Sequence, residues 1–106
     1  MPIGVSKQTV ISIGGGTGSI NGTVDNPSHY HCHRFYFEIG SAATIQIQGS
    51  YDGTTFFDLL GAAVTTDGEV RELDRPWNNL RVKVTGNNGT TKVTVEQFYG
   101  NMGATV

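Results

Sequence analysis

The clearest pattern in this chain is a strict alternation of apolar and polar residues, repeated in several short segments. In ATIQIQGS, residues 43–50, two isoleucines alternate with threonine and glutamine, and LRVKVTG, residues 80–86, alternates in the same way. Successive side chains of a strand point to opposite faces of a sheet, so each segment predicts a strand with one buried face. TTKVTVEQFYG, residues 90–100, alternates in the same way. The three strands should supply a core that includes Ile45, Ile47, Leu80, Val82, Val84, Val93 and Val95.

Turn sequences separate about eight such segments, at the spacing of roughly 8–12 residues that is typical of sandwiches and barrels. The dipeptides Asp-Gly and Asn-Gly predict hairpin turns at YDG (51–53), TTDG (65–68) and NNG (87–89). No segment keeps a helical period over its whole length. We therefore predict an all-β fold, an antiparallel β-sandwich of the jelly-roll type, with an immunoglobulin-like sandwich as the alternative.

The length of 106 residues fits one domain with a modest core, so residues 1–106 are assigned to a single β-sandwich domain. The first residues, about 1–8, and the last, about 101–106, predict a flexible N-terminal arm and a flexible C-terminal tail. The apolar side chains of both ends are candidate contacts to a partner, namely Ile3, Val5, Met102 and Val106.

The charge of the chain argues against a nucleic-acid partner. Charged residues make up 15% of the sequence and the formal net charge is −2, so no excess of lysine or arginine is present to neutralise phosphates. No apolar run approaches the roughly 18 residues of a membrane span, and no signal peptide is recognisable. One cysteine allows no intrachain disulfide. We therefore expect no membrane partner, and synthesis in the cytoplasm.

Two segments together resemble a known group of proteins. IQIQGSYDGTTFFDLLG and RPWNNLRVKVTGNNGTTKVTVEQFYG combine alternating strands, an aromatic pair, a Pro-Trp dipeptide before a strand and a glycine hairpin. This combination, over roughly residues 44–100, resembles the small all-β capsid decoration (cement) proteins of tailed bacteriophages.

The resemblance implies a structural virion protein that binds the major capsid protein on the outer surface of the capsid and stabilises the shell. It also implies a homo-oligomer, often a trimer, with no enzymatic activity and no cofactor. A tail- or fibre-associated β domain uses the same hairpins and remains open as an alternative.

The segment HYHCHRFYFEI, residues 29–39, concentrates the metal-binding residue types of the chain. A period of two places its histidines on the face that continues into two phenylalanines, where a structural role is favoured. On that face we expect His29, His31, His33, Phe35 and Phe37, and on the opposite face Tyr30, Cys32, Arg34, Tyr36 and Glu38. Cys32, without an evident catalytic partner, is expected to be a small buried residue.

His31, His33 and Glu38 resemble the first half of the metal motif of cupins, which are also jelly rolls and hold a divalent transition metal. The sequence departs from that motif, since no histidine follows His33 and the period of two separates Glu38 from both histidines. A cupin-like metal-dependent protein is therefore the alternative function, and a site without metal or cofactor is favoured.

Three aromatic residues, Tyr51, Trp77 and Tyr99, offer a further alternative, a stacking platform for carbohydrate. Trp77 follows a proline just before a strand, where a tryptophan side chain more commonly packs into the hydrophobic core. Carbohydrate binding is therefore kept as a second alternative to the structural role.

Overall fold

A computed structural model describes residues 7–13, 19–25, 27–40, 43–86 and 91–98, and these form two packed antiparallel sheets. The predicted all-β antiparallel sandwich is confirmed. The described residues contain no helix that is long and apolar enough to cross a membrane. The strands are β1 (Lys7–Ile13), β2 (Ser19–Val24), β3 (Cys32–Ile39), β4 (Thr44–Ser50), β5 (Phe57–Asp58), β6 (Val70–Leu73), β7 (Asn79–Thr85) and β8 (Thr91–Phe98).

The strand order identifies how the chain is wound. The first sheet has the order β1-β8-β3-β6 and the second sheet the order β2-β7-β4-β5. Strand 1 thus pairs with 8, 2 with 7, 3 with 6 and 4 with 5, as when one long hairpin is folded over into two sheets. This is the pairing expected of the jelly-roll type. The immunoglobulin-like alternative would place β1 and β2 in one sheet, and they lie in different sheets.

The core lies between the sheets and contains every residue that the alternation predicted. All seven of these side chains are at most 2% exposed, and Phe35 and Phe37 of β3 join them. In β7 the burial alternates residue by residue, as the sequence does. The reason is that apolar side chains on one face of a strand can leave water only by facing the other sheet.

The predicted hairpin at TTDG is wrong, although a turn is present. β5 belongs to the second sheet and β6 to the first, so the chain crosses between sheets here. Val64 still bridges to Ile45 of the second sheet before the crossing. Gly68 then adopts a positive φ of 88° and donates its N–H to the carbonyl of Phe37 at 2.9 Å. The strand predicted in TTFFDLLG is reduced to two residues.

The predicted ends of the domain lie largely outside the described residues. Lys7 and Gln8 belong to β1 and pair with Gln97 and Glu96 of β8, so the N-terminal arm predicted at about 1–8 is too long by these two residues. The candidate partner contacts Ile3, Val5, Met102 and Val106 lie outside the described residues, as does the turn at 87–89.

The buried Gly49 is a position where a single methyl group should destabilise the fold. A β-carbon there would lie 2.7 Å from Cε3 of Trp77 and 2.9 Å from Cδ1 of Leu59, both packed against the core. We expect Gly49→Ala to lower the free energy of unfolding by about 1–3 kcal/mol, the usual cost of overpacking. Urea unfolding followed by circular dichroism measures it. Gly61→Ala is the matched control, since nothing lies within 4 Å of its β-carbon; equal stability of the two variants would contradict the prediction.

Candidate functional site

The histidine segment begins as a turn and becomes a strand only at Cys32. His29 and His31 precede β3 and are exposed, whereas His33 is fully buried, with 0% of its surface accessible. The predicted continuous face of three histidines is therefore wrong. The backbone at 27–29 forms a turn, and a strand period cannot extend through it.

The buried ring of His33 is surrounded by polar groups. Its Nδ1 is 3.3 Å from Nε2 of Gln97, which also donates to the carbonyl of Asp25 at 2.9 Å. Nε2 of His33 has no hydrogen-bond partner in the described part of the chain. Burial lowers the pKa of His33 to about 4, and the nearby carbonyls of Pro27 and Arg75 offset this only in part. The ring is therefore neutral at physiological pH.

The residues of the cupin-like alternative do not converge. His31 is exposed before the strand, His33 faces the core, and Glu38 stands on the opposite face, about 17 Å further along β3. Glu38 instead pairs with Lys92 of β8 at 3.3 Å. Within the described ranges, no group of three His, Cys, Asp or Glu side chains is arranged to hold a metal ion.

Cys32 is buried, as predicted for a small core residue, and its Sγ lies 2.7 Å from Oδ1 of Asp74. Of the aromatic residues weighed as a sugar platform, Trp77 is half-buried and packs against the core, as predicted. Tyr51 is 66% exposed and stacks on Phe57 with ring centroids 6.3 Å apart. Tyr99 lies outside the described residues.

The outer surface of the first sheet carries side chains in two adjacent rows that cross all four strands. The first, the Tyr36 row, is mainly apolar, with two valines about half exposed at its ends: Val10, Thr94, Tyr36 and Val70. The second, the Arg34 row, is charged and polar: Gln8, Glu96, Arg34 and Glu72. Five of these side chains, together with Glu38 and Glu69, line a concavity of about 380 Å³: Gln8, Tyr36, Val70, Thr94 and Glu96.

Hydrogen bonds fix the Arg34 row in place. Arg34 donates through Nε to Glu72 at 2.8 Å and forms a second ion pair with Glu96 at 3.5 Å. The hydroxyl of Tyr36 donates to Glu96 at 2.5 Å. The hydrogen bonds that Arg34 donates to Tyr36 and to Glu72 raise the pKa of Arg34. Charges that are held by neighbours in this way leave a rigid, mixed surface around the apolar Tyr36 row.

The outer surface of the second sheet has a different chemistry, centred on one arginine. Arg81 of β7 lies over the ring of Phe56, 3.7 Å from its centroid, and donates through Nε to Gln48 at 2.8 Å. Sequence reasoning missed both this site and the two rows of the first sheet. Alternation did show that Arg34, Tyr36 and Arg81 face outward, but their neighbours come from strands distant in sequence.

No protein-family model matches the chain, and no curated protein matches it in sequence. Among solved structures it is similar to the crystal structure of the SPBc2 prophage-derived protein YomS, with a TM-score of 0.61 and 11% identity, covering 89% of this chain and 96% of that one. A de novo designed double-stranded β-helix, solved by solution NMR, aligns over 87% of this chain and 99% of its own, with a TM-score of 0.42 and 15% identity. The match to YomS shows a shared fold.

Proposed function

We propose that this chain is a structural protein of a bacteriophage particle, which binds the outer surface of the capsid and reinforces the shell. The observation that carries the proposal is the likeness in fold to a prophage-derived protein over nearly the whole of both chains. The resemblance of residues 44–100 to capsid decoration proteins points to the same class. In this role the protein has no enzymatic activity, needs no metal or cofactor, and is made in the host cytoplasm before it joins the virion.

The outer surface of the first sheet is suited to docking on the major capsid protein. The Tyr36 row offers an apolar centre, and the Arg34 row beside it offers charges that are already held by partners. An apolar centre with a polar rim is the usual anatomy of a protein interface. The centre supplies most of the affinity, and the rim favours the correct partner.

Assembly into a trimer would cover the longer sheet edges. The described edge strands on one side, β5 and β6, have two and four residues, whereas β1 and β2 on the other side have seven and six. A long open edge invites pairing with other chains unless it is covered. Threefold contacts between copies would cover it and would match the local symmetry of an icosahedral lattice.

The proposal predicts a trimer in solution that sediments with capsids of the source phage. We expect Val10→Lys, which puts a charge into the Tyr36 row, to weaken capsid binding at least about tenfold, because a buried charge without a partner is costly at an interface. Thr44→Lys is the matched control, an exposed strand residue of the second sheet, and should bind normally. Light scattering gives the oligomeric state and co-sedimentation the binding.

Deletion of residues 101–106 tests the predicted tail separately. We expect the fold to be unchanged by circular dichroism while assembly or capsid binding weakens. Unchanged binding would remove only the role of the tail. A wild-type protein that remains monomeric at high concentration and does not bind capsids would overturn the trimer and the decoration role together.

A further inference from the structure

A groove of about 300 Å³ opens on the outer surface of the second sheet, where β2, β7 and the loop between β4 and β5 meet. We call it the Arg81 groove. Arg81 is the one cation among the residues that line it, and none of these residues carries a carboxylate. The polar and aromatic side chains of its wall are Asn21, Thr23, Phe56, Asn79 and Arg81.

Arg81 is fixed in position before any ligand arrives. Its Nε donates to Oε1 of Gln48 at 2.8 Å, and Nε2 of Gln48 donates in turn to Asp58 at 2.7 Å. The ring of Phe56 lies against one side of the guanidinium group, with its centroid 3.7 Å from Cζ of Arg81. The two terminal nitrogens of Arg81 have no hydrogen-bond partner among the described residues. A planar arginine fork with unused donors is the arrangement that binds a carboxylate through two parallel hydrogen bonds.

The wall of the groove is also preformed. Ser50 Oγ accepts the N–H of Gly53 at 2.8 Å, and Gly53 adopts a φ of 81°, which favours glycine. Asp52 Oδ1 accepts the N–H groups of Thr54 and Thr55, each at 2.8 Å, and these bonds lower the pKa of Asp52. The carboxylate of Asp52 is therefore bound within the loop, and the loop is a rigid edge for a pocket.

The other polar groups of the groove are neutral. Asn21 and Thr23 of β2 and Asn79 of β7 supply amide and hydroxyl groups, which both donate and accept hydrogen bonds. One cation balances the single charge of a carboxylate but not the charge of about −2 of a phosphate monoester. Neutral amides and hydroxyls suit a ligand rich in hydroxyl groups, and the volume is at the small end of ligand pockets, about 300–1,000 Å³.

We propose that the Arg81 groove binds an acidic saccharide, with the sugar carboxylate on Arg81 and the sugar hydroxyls on Asn21, Thr23 and Asn79. The site is separate from the surface proposed to dock on a capsid, because the two lie on the outer surfaces of different sheets. If the docking proposal also holds, a particle-bound copy would present the groove to the medium.

The test is a titration of the purified, isotope-labelled full chain, followed by NMR of backbone amides. Methyl β-D-glucuronide is the probe, methyl β-D-glucoside lacks its carboxylate, and acetate lacks its ring. We expect saturable shifts at Phe56, Asn79 and Arg81 with the glucuronide, with a Kd of about 1 mM. The glucoside and acetate should each bind at least about tenfold more weakly, because each lacks part of the hydrogen-bonded contact.

Variants identify the groove as the site. Arg81→Met should weaken glucuronide binding at least about tenfold, whereas Lys83→Met, on the same strand and face but outside the groove, should stay within about twofold. Asn21→Asp adds a repelling negative charge to an exposed position of the wall and should also weaken glucuronide binding. This variant keeps the test valid if Arg81→Met fails to fold. Absence of saturable binding, equal binding by the Arg81→Met and Lys83→Met variants, or acetate as tight as the glucuronide would overturn the proposal. Capsid co-sedimentation reports separately on the docking proposal.

Discussion

Val82→Asp should leave the chain unfolded at neutral pH. Val82 is 0% exposed and lies on the central strand β7, opposite Gly22 of β2 and Ile47 of β4. A carboxylate there would be enclosed by apolar side chains, and burying it without a partner costs several kcal/mol whether it ionises or takes up a proton. That cost is comparable to the whole stability of a small domain, about 5–15 kcal/mol.

Val10→Asp is the matched control, because Val10 is also a strand valine but is 53% exposed on the outer surface of the first sheet. Its expected cost is about 1 kcal/mol or less, mainly from the poorer strand propensity of aspartate. Thermal unfolding followed by circular dichroism gives the melting temperatures of the two variants. Equal melting temperatures would show that Val82 does not lie in the core.

Acid should destabilise the wild-type protein through His33 before most carboxylates titrate. The pKa of His33 is about 4 in the folded protein and about 6.5 in an unfolded chain, because burial disfavours the charged ring. Between these pH values the unfolded state binds more protons than the folded state. The free energy of unfolding therefore has its full value above about pH 6.5 and falls as the pH drops towards 4. The full loss is about 3 kcal/mol for this single fully buried group.

His33→Gln should remove most of this pH dependence, because a neutral amide does not titrate and can still form a hydrogen bond with Gln97. His31→Gln is the matched control, since His31 is exposed, and it should keep the wild-type profile. Urea unfolding at about pH 7 and about pH 4.5 gives the change in the free energy of unfolding with pH for each protein. A wild-type stability that is the same at both pH values would contradict the role of His33.

The sequence predicted the fold well where the pattern is local. Alternation in β4, β7 and β8 identified the buried face, because only one register of a strand keeps its apolar residues out of water. The same reasoning overextended β3 to His29, since a turn and a strand cannot be separated by period alone. The pattern also predicted a hairpin at TTDG, because an Asp-Gly turn shows that the chain reverses its direction but not which sheet the next strand joins.

The candidate sites were predictable only in part. Outward-facing positions such as Arg34, Tyr36 and Arg81 follow from the alternation. Their environment depends on partners from other strands, for example Glu96 beside Tyr36 and Phe56 beside Arg81. Such pairs are separated by tens of residues along the chain, so no short sequence window contains them. The contact of His33 with Gln97 could not be predicted for the same reason, since the two residues lie 64 positions apart.

The central position of β8 affects how the protein is made. β8 lies between β1 and β3, although the ribosome synthesises it after every other strand in the described part of the chain. Side chains that meet across β1 and β8, such as Gln8 and Glu96, are 88 positions apart. Until residues 91–98 leave the exit tunnel, β1 has no neighbour in its sheet, and pairing over such a separation is slow. A nascent chain that terminates early keeps open edges that chaperones and proteases recognise. Cellular quality control would thus remove prematurely terminated chains before they accumulate.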